Sequence, residues 1–245
     1  MDAYPEQADG QQRADSEAYP QVHTARSPGS LFSIANRHRE IRLAIEADMR
    51  QFLVIGHEAP STPEVPLDAL ASEAGRLDLL ARTVNAALLE SHGIREDARI
   101  HLVLDDVTVS IDGATVRNLH PDERSIAALI RTALEARADA IGHMPAEPAP
   151  GVELYRMGFE ASLERLAAEG SIVQLHEDGD PVAEIEPPEN PIFVLSDHRD
   201  FTDSEAASLE DRTEYRLRLG PRALHADHAI SVTHNWLDTD GYASY

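Results

Sequence analysis

The run PIFVLSDH, residues 191–198, constrains the fold more than any other stretch of the chain. Its core is almost entirely apolar, with no alternation of polar and apolar residues, which is the pattern of a strand buried on both faces. RQFLVIGH, residues 50–57, is a second run of the same strand-like kind. Strands buried on both faces occur in sheets that are covered by helices, so these runs predict a largely parallel sheet.

Amphipathic helices alternate with the strand-like runs. In GRLDLLARTVNAALLESHG the apolar residues share one helical face, and we expect this helix to end at Gly93 with a glycine C-cap. Pro121 is expected to open a second helix. Its buried side carries Ile126, Leu129, Ile130 and Ala133. Between the two helices, RIHLVLDD, VTVSIDG and ATVRNL are each predicted to form a strand.

The alternation continues after a proline-rich connector at residues 145–151. FEASLERLAAEG is predicted to be a helix, SIVQLHEDG a strand and EYRLRL another strand. Thr202 begins the capping-box sequence TDSE of an intervening helix, and residues 224–238 are expected to close the chain as a helix. Strands that alternate with helices place the chain in the α/β class.

The N-terminal part of the chain has a different character. Residues 1–30 contain few aliphatic side chains and cannot bury enough apolar area to offset the entropy of ordering, so we expect disorder there. Residues 31–48 have an interrupted apolar stripe that a helix could use. We therefore predict an extension, 1–48, and one compact domain, 49–245. Met49 stands directly before the first strand, so a genuine extension and translation that starts at Met49 both remain open.

The charge of the chain is strongly negative. Asp and Glu number 44 against 21 basic residues, the net charge is −23, and every basic residue is an arginine. Such a surface repels itself at low ionic strength and stays hydrated where counterions are plentiful. We interpret this as the composition of a halophilic protein, with an ordinary acidic protein as the alternative.

Cysteine and membrane signals are both missing from the sequence. The absence of cysteine excludes disulfides and thiolate metal sites. No apolar run approaches the ~18 residues that a membrane span needs, and the N-terminus lacks the order of a signal peptide. We therefore expect a cytoplasmic protein that has no membrane partner.

The ligand-binding fingerprints of α/β proteins are also missing, since the chain has neither G-x-G-x-x-G nor a P-loop. Ligands of α/β sheets bind beyond the carboxyl ends of the strands. Three such ends stand out in the sequence: Leu175-His176, Leu195-Ser196-Asp197-His198 and Leu219-Gly220-Pro221. We expect these three ends to lie close together and to hold a ligand.

Several spaced blocks carry a resemblance to a known family. In chain order they are MRQFLVIGHEAP, GRLDLLARTVNAALLESHGIRED, HPDERSIAALI, APGVELYRMGFE, VQLHEDGD, PIFVLSDH and LGPRALHADHAISVTHNWLD. Together they cover residue 49 to about residue 240, and over this length the chain resembles the archaeal tRNA pseudouridine N1-methyltransferases of the SPOUT class. The resemblance implies a largely parallel α/β sheet with a deep C-terminal trefoil knot, a homodimer, and S-adenosylmethionine as methyl donor. The implied reaction is methylation of N1 of pseudouridine 54 in the tRNA T-loop.

The resemblance also implies which residues bind the methyl donor. They are Leu175, Ser196, Leu219, Gly220, Pro221, Arg222, Ala223, Leu224 and Ala229. Two of them depart from the family pattern, because Ser196 stands where glycine is frequent and Ala229 where cysteine is frequent. Both residues are small, so the donor can still approach closely, although Ser196 has less backbone freedom than glycine.

Two arginines and one aspartate are candidates for RNA binding and chemistry. Arg76 offers a guanidinium fork that suits phosphate or carboxylate, and Asp78 lies near the start of its helix. In the functional interpretation Arg76 contacts the RNA, and Asp78 orients N1 of pseudouridine or accepts its proton. The alternative is an ion pair on a solvated helix. Arg124 is a second candidate phosphate contact, and its alternative is a salt bridge with Asp122 or Glu123.

An acidic protein that binds RNA needs a local surface that is not negatively charged. Concentrated salt removes most of the gain from counterion release, so affinity has to come from shape, stacking and short hydrogen bonds. We therefore expect an arginine-lined cleft within a negative overall field. We expect no DNA partner.

Three alternatives to this function remain. The chain could methylate pseudouridine in ribosomal RNA, or it could be a non-catalytic RNA- or ligand-binding α/β protein. It could also be a metal-dependent hydrolase that uses His225, His228 and Asp197. His225 and His228 share a helix face, but neither a cysteine nor an H-E-x-x-H motif completes a zinc site, so we expect no metal.

Overall fold

The structure is a computed structural model that describes residues 49–245, and the predictions for residues 1–48 lie outside this range. Its strands are β1 (Arg50–Ile55), β2 (Leu89–Glu90), β3 (Gly93–Ile94), β4 (Ala98–Leu104), β5 (Val107–Asp112), β6 (Ala146–Ala149), β7 (Val152–Tyr155), β8 (Ser171–Pro181), β9 (Pro191–Ser196) and β10 (Tyr215–Arg218). Its α-helices are α1 (Leu77–Leu88), α2 (Glu123–Glu135), α3 (Phe159–Ala167), α4 (Asp203–Glu210) and α5 (Ala226–Asp238).

Eight of the strands form one sheet, in the order β10-β8-β9-β1-β4-β5-β7-β6. The first five strands of this order are parallel to their neighbours, and β5, β7 and β6 extend the sheet with antiparallel pairing. The predicted α/β class with a largely parallel sheet is therefore confirmed. Parallel pairing of β10, β8 and β9 brings their carboxyl ends to one edge of the sheet.

Burial on both faces explains why β1 and β9 carry no polar alternation. In β1, Phe52 and Val54 belong to a core that includes buried residues of α1, α2 and α5. Leu53 and Ile55 belong to a second core, which includes residues of α3 and α4. Each large apolar side chain that is fully buried contributes roughly 1.5–3 kcal/mol, so β1 stabilises both cores.

Three predicted elements differ from the structure, and the first is the proline-rich connector at residues 145–151, in which Ala146–Ala149 forms strand β6. The helix predicted to reach Gly93 ends at Leu88, because Leu89 adopts extended backbone and begins a short hairpin with Ile94. ATVRNL, predicted to be a strand, is instead turn and irregular backbone. The carboxylate of Asp112 accepts a hydrogen bond from Ala114 N–H at 2.9 Å, which is an Asx-turn that directs the chain away from the sheet.

The predicted start of α4 is confirmed in its details. The Thr202 hydroxyl accepts a hydrogen bond from the backbone N–H of Glu205, and the Glu205 carboxylate accepts one from the backbone N–H of Thr202. At α2, Asp122 rather than Pro121 is the N-cap, and its carboxylate accepts a hydrogen bond from Ser125 N–H at 2.8 Å. Capping of this kind satisfies donors that the first helical turn leaves free.

The entrance to α1 is made by two consecutive residues in the left-handed region, Gly75 with φ 53° and Arg76 with φ 61°. A Cβ atom on Gly75 would lie 1.7 Å from the carbonyl oxygen of Glu58, so the two backbones are in direct contact. Only glycine allows this approach. The contact fixes the position of Arg76 relative to the loop that follows β1.

We expect Gly75→Ala to lower the free energy of unfolding by roughly 3 kcal/mol, because it adds a backbone clash to left-handed strain. Gly142 is the matched control, since its φ is 57° and an added Cβ would meet nothing within 4 Å. Gly142→Ala should cost only about 1 kcal/mol. Denaturant unfolding followed by circular dichroism in concentrated KCl measures both values. Equal losses for the two variants would contradict the packing of Gly75 against Glu58.

Candidate active site

The middle of β8, just beyond its pairing with β9, and the carboxyl ends of β9 and β10 enclose a cavity of about 570 Å³, which we call the strand-end cavity. The three segments marked in the sequence therefore meet, as expected, but Leu175-His176 lies within β8 and is not its end. Eight of the nine residues in the predicted donor-binding set line this cavity, and Pro221 does not. The eight are Leu175, Ser196, Leu219, Gly220, Arg222, Ala223, Leu224 and Ala229.

Small and apolar residues form one part of the walls of the strand-end cavity, and charged and polar side chains form the rest. The loop between β10 and α5 forms one side, and a Cβ on Gly220 would meet no atom within 4 Å, so the backbone borders open space there. Ala229, in the first turn of α5, is only 6% exposed and lines the cavity with its methyl-sized side chain. A volume of several hundred cubic ångströms that is bordered by both apolar and polar groups is typical of small-molecule sites.

The loop after β9 is held by its own hydrogen bonds. The Ser196 hydroxyl donates to the carbonyl oxygen of Arg199, and the Arg199 backbone N–H donates to the Asp197 carboxylate at 2.9 Å. Ser196 therefore uses its hydroxyl within the loop. The bonds stabilise a turn whose residues border the strand-end cavity.

His57 connects this loop to two other elements. It directly follows Gly56 at the end of β1, and its Nδ1 lies 3.0 Å from an oxygen of Asp197. Its Nε2 lies 3.1 Å from an oxygen of Glu205 in α4, and its backbone N–H donates to Asp197 at 2.9 Å. Since both ring nitrogens face carboxylates, the protonated imidazolium can donate both bonds.

The surroundings of His57 favour its charged form. Burial alone would lower the pKa of the imidazole, but hydrogen bonds to Asp197 and Glu205 outweigh it, so the pKa is raised above 6.5. For Glu205, burial would raise the pKa of the carboxyl, and the backbone hydrogen bond from Thr202 and the side-chain bond from His57 together lower it. A charged bridge therefore joins β1, β9 and α4 beside the strand-end cavity.

Glu58 makes a second connection to the same loop. Its carboxylate forms a salt bridge with Arg199 and lies 3.4 Å from Nε2 of His198. Both partners line the strand-end cavity. Sequence reasoning missed His57, Glu58 and Glu205 as site residues. The signal in the sequence was that GHE directly follows one apolar strand-like run as SDH ends another, and ligands of α/β sheets bind beyond such strand ends.

Arg76 and Asp78 pair with each other and do not line the strand-end cavity. Arg76 Nε and Nη2 donate to the two carboxylate oxygens of Asp78 at 3.0 and 3.1 Å. Burial would raise the pKa of Asp78, but the bond from Arg76 outweighs this effect and the pKa is lowered. Farther along α1, Leu79 and Thr83 share a narrow cleft with Asp197 and His198, which also border the strand-end cavity.

Arg124 is exposed on α2 and lies outside the strand-end cavity. Its guanidinium pairs with Asp68 at 2.6 Å. The alternative of a salt bridge with Asp122 or Glu123 is wrong, because the Asp122 carboxylate caps the helix instead. An exposed pair of this kind contributes little to stability, so Arg124 remains able to exchange its partner for a phosphate.

The geometry does not assemble the ligands of a metal-dependent hydrolase. Asp197 uses both carboxylate oxygens for His57, and the rings of His225 and His228 have their centroids 6.1 Å apart. Within residues 49–245, no group of three or more His, Cys, Asp or Glu side chains is arranged to hold a metal ion. Nor does any helix in this range have the length and apolarity to cross a membrane.

A family model described as "Putative SAM-dependent RNA methyltransferase" matches residues 49–242, where SAM is S-adenosylmethionine. The chain belongs to this RNA methyltransferase family. The family predicted from the sequence blocks is thereby confirmed.

Relatives of this RNA methyltransferase come from halophilic archaea. The tRNA (pseudouridine(54)-N(1))-methyltransferase of Haloferax volcanii is 62% identical over 198 residues, which are 80% of this chain and 100% of the relative. The protein of the same name from Haloarcula marismortui is 60% identical with the same coverage. These sources agree with the halophilic interpretation of the charge.

A solved structure shares the fold of this RNA methyltransferase. Nep1 of Archaeoglobus fulgidus, crystallised with S-adenosylhomocysteine, superposes with a TM-score of 0.53 at 14% identity. The match covers 77% of this chain and 96% of that chain. At this identity the likeness establishes the fold alone.

The raised pKa of His57 predicts a pH dependence of stability. The imidazolium bridge stabilises the folded protein fully below about pH 6.5, the ordinary imidazole pKa, and this contribution is lost as the pH rises through the raised value. The melting temperature should therefore fall between weakly acidic and weakly alkaline pH, and His57→Gln should remove this slope.

The exposed His143→Gln is the matched control and should keep the wild-type profile. Melting curves at several pH values in constant KCl measure the effect. A His57→Gln profile that runs parallel to the wild type would show that the bridge does not respond to protonation.

Proposed function

We propose that the chain transfers the methyl group of S-adenosylmethionine to N1 of pseudouridine 54 in the tRNA T-loop. The observation that carries this proposal is the strand-end cavity, which is lined by eight of the nine predicted donor-binding residues. Support comes from two relatives of that name, which are 62% and 60% identical and are covered over their full length.

The strand-end cavity suits the chemistry of S-adenosylmethionine. Backbone groups of residues 219–224 can hydrogen-bond to the adenine and the methionine portion, and Leu175 and Leu224 offer apolar contacts. The small side chain of Ala229 keeps the floor of the cavity open. The bound donor supplies an electrophilic methyl group on a sulfonium. The loop 196–199, fixed by His57 and Glu58, holds one wall in place before the donor arrives.

The other substrate must present a nitrogen that has lost its hydrogen. Pseudouridine is joined to ribose through carbon, so its N1 carries a proton that has to leave for the methyl group to be accepted. Asp78 is our candidate for the group near N1. Because its pKa is lowered, the Asp78 carboxylate is ionised and can accept a hydrogen bond, but it is a weak base. Its proposed role is therefore mainly to orient N1–H by accepting a hydrogen bond from it. Arg76 holds this carboxylate in place and offers a guanidinium to the RNA.

The remaining parts of the proposal concern threading, assembly and surroundings. The chain from residue 190 onward is proposed to form the deep trefoil knot, with α5 beneath the strand-end cavity and against a second copy in a homodimer. Arg124, exposed on α2, is proposed as a phosphate contact. The enzyme is proposed to act in a salt-rich cytoplasm, in keeping with its net charge of −23.

We expect Ala229→Leu to weaken binding of S-adenosylmethionine at least tenfold, a loss of about 1.4 kcal/mol, because the larger side chain enters the cavity. Ser231→Leu makes the matched change on the exposed side of the same helix and should leave the affinity unchanged. Isothermal titration calorimetry in concentrated KCl measures the affinity, and melting curves verify that both variants fold. Equal affinities of the two folded variants would place the donor elsewhere.

The proposed reaction is tested with labelled donor and synthetic T-stem-loops that carry uridine or pseudouridine at the target position. Label should appear only on the pseudouridine RNA, and nucleoside analysis should identify N1-methylpseudouridine. Label on the uridine RNA alone would contradict the chemistry. A preference for a pseudouridine-containing ribosomal RNA fragment would assign the enzyme to ribosomal RNA, and failure to bind the donor would indicate a non-catalytic protein.

A further inference from the structure

Most arginine side chains in residues 49–245 have a carboxylate or a backbone carbonyl as a partner, and a few have neither. Ten of the sixteen arginines from Arg50 onward lie within 4.0 Å of a carboxylate oxygen. Arg117 and Arg212 donate to backbone carbonyls instead. Within residues 49–245, four arginine side chains then have no hydrogen-bonding or ionic partner: Arg156, Arg216, Arg218 and Arg222.

Three of these four arginines lie at one place. Arg216, Arg218 and Arg222 all line the strand-end cavity, and all three are exposed. We call them the rim arginines. Arg216 and Arg218 belong to β10, the outermost strand at that side of the sheet, and Arg222 lies in the loop that follows. In a chain with a net charge of −23, free guanidinium groups gathered at the mouth of one cavity are unexpected from composition alone.

The spacing of the rim arginines suits a nucleic-acid strand. The pairing of β10 with β8 shifts register between Arg216 and Leu217, but the burial pattern is kept: Leu217 is buried and both arginines are exposed. Two residues of extended chain span about 6.6 Å, a distance comparable to that between neighbouring phosphates of one nucleic-acid strand. Each guanidinium can form a bidentate pair with a phosphate.

Nearby carboxylates do not neutralise the rim arginines. Glu177 and Asp200 also line the strand-end cavity, yet neither lies within salt-bridge distance of a rim arginine. The three side chains therefore add nothing through ion pairs to the stability of the described fold. Their positive charge stays available to an external anion.

We propose that Arg216 and Arg218 bind successive phosphates of the RNA strand that delivers the target nucleotide to the strand-end cavity, with Arg222 as a third contact. This inference rests on the proposed function, because it assumes that the cavity holds the methyl donor and that RNA is the second substrate. It gives a concrete position to the arginine-lined cleft expected from the sequence, and it adds an RNA surface distinct from Arg76 and Arg124.

S-adenosylmethionine is a competing ligand for the rim arginines, because it is also anionic at one end. Its methionine portion carries a carboxylate, and a rim arginine could pair with that group instead of with RNA. The two possibilities differ in the ligand whose affinity depends on the arginines. They also differ in salt dependence, since RNA binding releases counterions in proportion to the phosphates neutralised.

The test compares Arg216→Gln/Arg218→Gln with a control that removes the same charge, Arg131→Gln/Arg156→Gln. Arg131 makes a surface pair with Glu135 on α2, and Arg156 follows β7, six strands from β10 in the sheet. Fluorescence anisotropy with a pseudouridine T-stem-loop measures RNA affinity over a series of KCl concentrations. Calorimetry measures the affinity for S-adenosylmethionine, and melting curves verify folding.

We expect the rim variant to lose roughly tenfold in RNA affinity, and the slope of log Kd against log[KCl] to fall by about 1.4–1.8 for two lost contacts. Its affinity for S-adenosylmethionine should stay within twofold of wild type. The control variant should keep both affinities.

Two outcomes would overturn the inference. In the first, the rim and control variants bind RNA equally well. In the second, the rim variant loses affinity for S-adenosylmethionine while its RNA affinity and salt slope remain, which would assign the arginines to the donor carboxylate. Because RNA affinity is measured without methyl transfer, these outcomes are separate from a failure of the wild-type enzyme to methylate the pseudouridine RNA.

Discussion

Burial of β1 and β9 on both faces is the constraint on which the rest of the structure depends. Each strand packs against helices on either side, so a slide by one residue would exchange the side chains of two differently packed cores. The charged groups that β1 and β9 bring to this edge therefore follow the two strands and do not lie within them. The strand-end cavity, His57 and the loop at 196–199 all lie at that edge.

The side chains at this edge form a rigid site because they are bonded to one another. His57 joins the ends of two neighbouring strands to the first turn of α4, and Glu58 pairs with His198 and Arg199 of the loop that follows β9. A loop fixed in this manner loses little entropy when a ligand binds, which favours affinity without additional contacts. The small size of Ser196 and Ala229 then leaves the space that the ligand needs.

Hydrophobic patterns in the sequence were enough to find most elements: β1 and β9 are short, continuous apolar runs, and α1 has apolar residues at helical spacing. The prediction failed where a single side chain redirected the backbone. The Asp112 carboxylate accepts a hydrogen bond from the Ala114 N–H and the chain turns there, so ATVRNL, which was predicted to be a strand, does not join the sheet. The site could be predicted only in part for a related reason. Asp197 and His57 are 140 residues apart, and no local sequence pattern shows which strands become neighbours.

Glu58 has one further consequence. Its carbonyl oxygen abuts Gly75, next to Arg76, while its carboxylate holds Arg199 at the strand-end cavity. A single residue thus touches both the backbone that carries Arg76, a proposed RNA contact, and the loop that borders the strand-end cavity. Linkage of this kind is reciprocal, so whatever one ligand does to the affinity of the other is returned by the same factor.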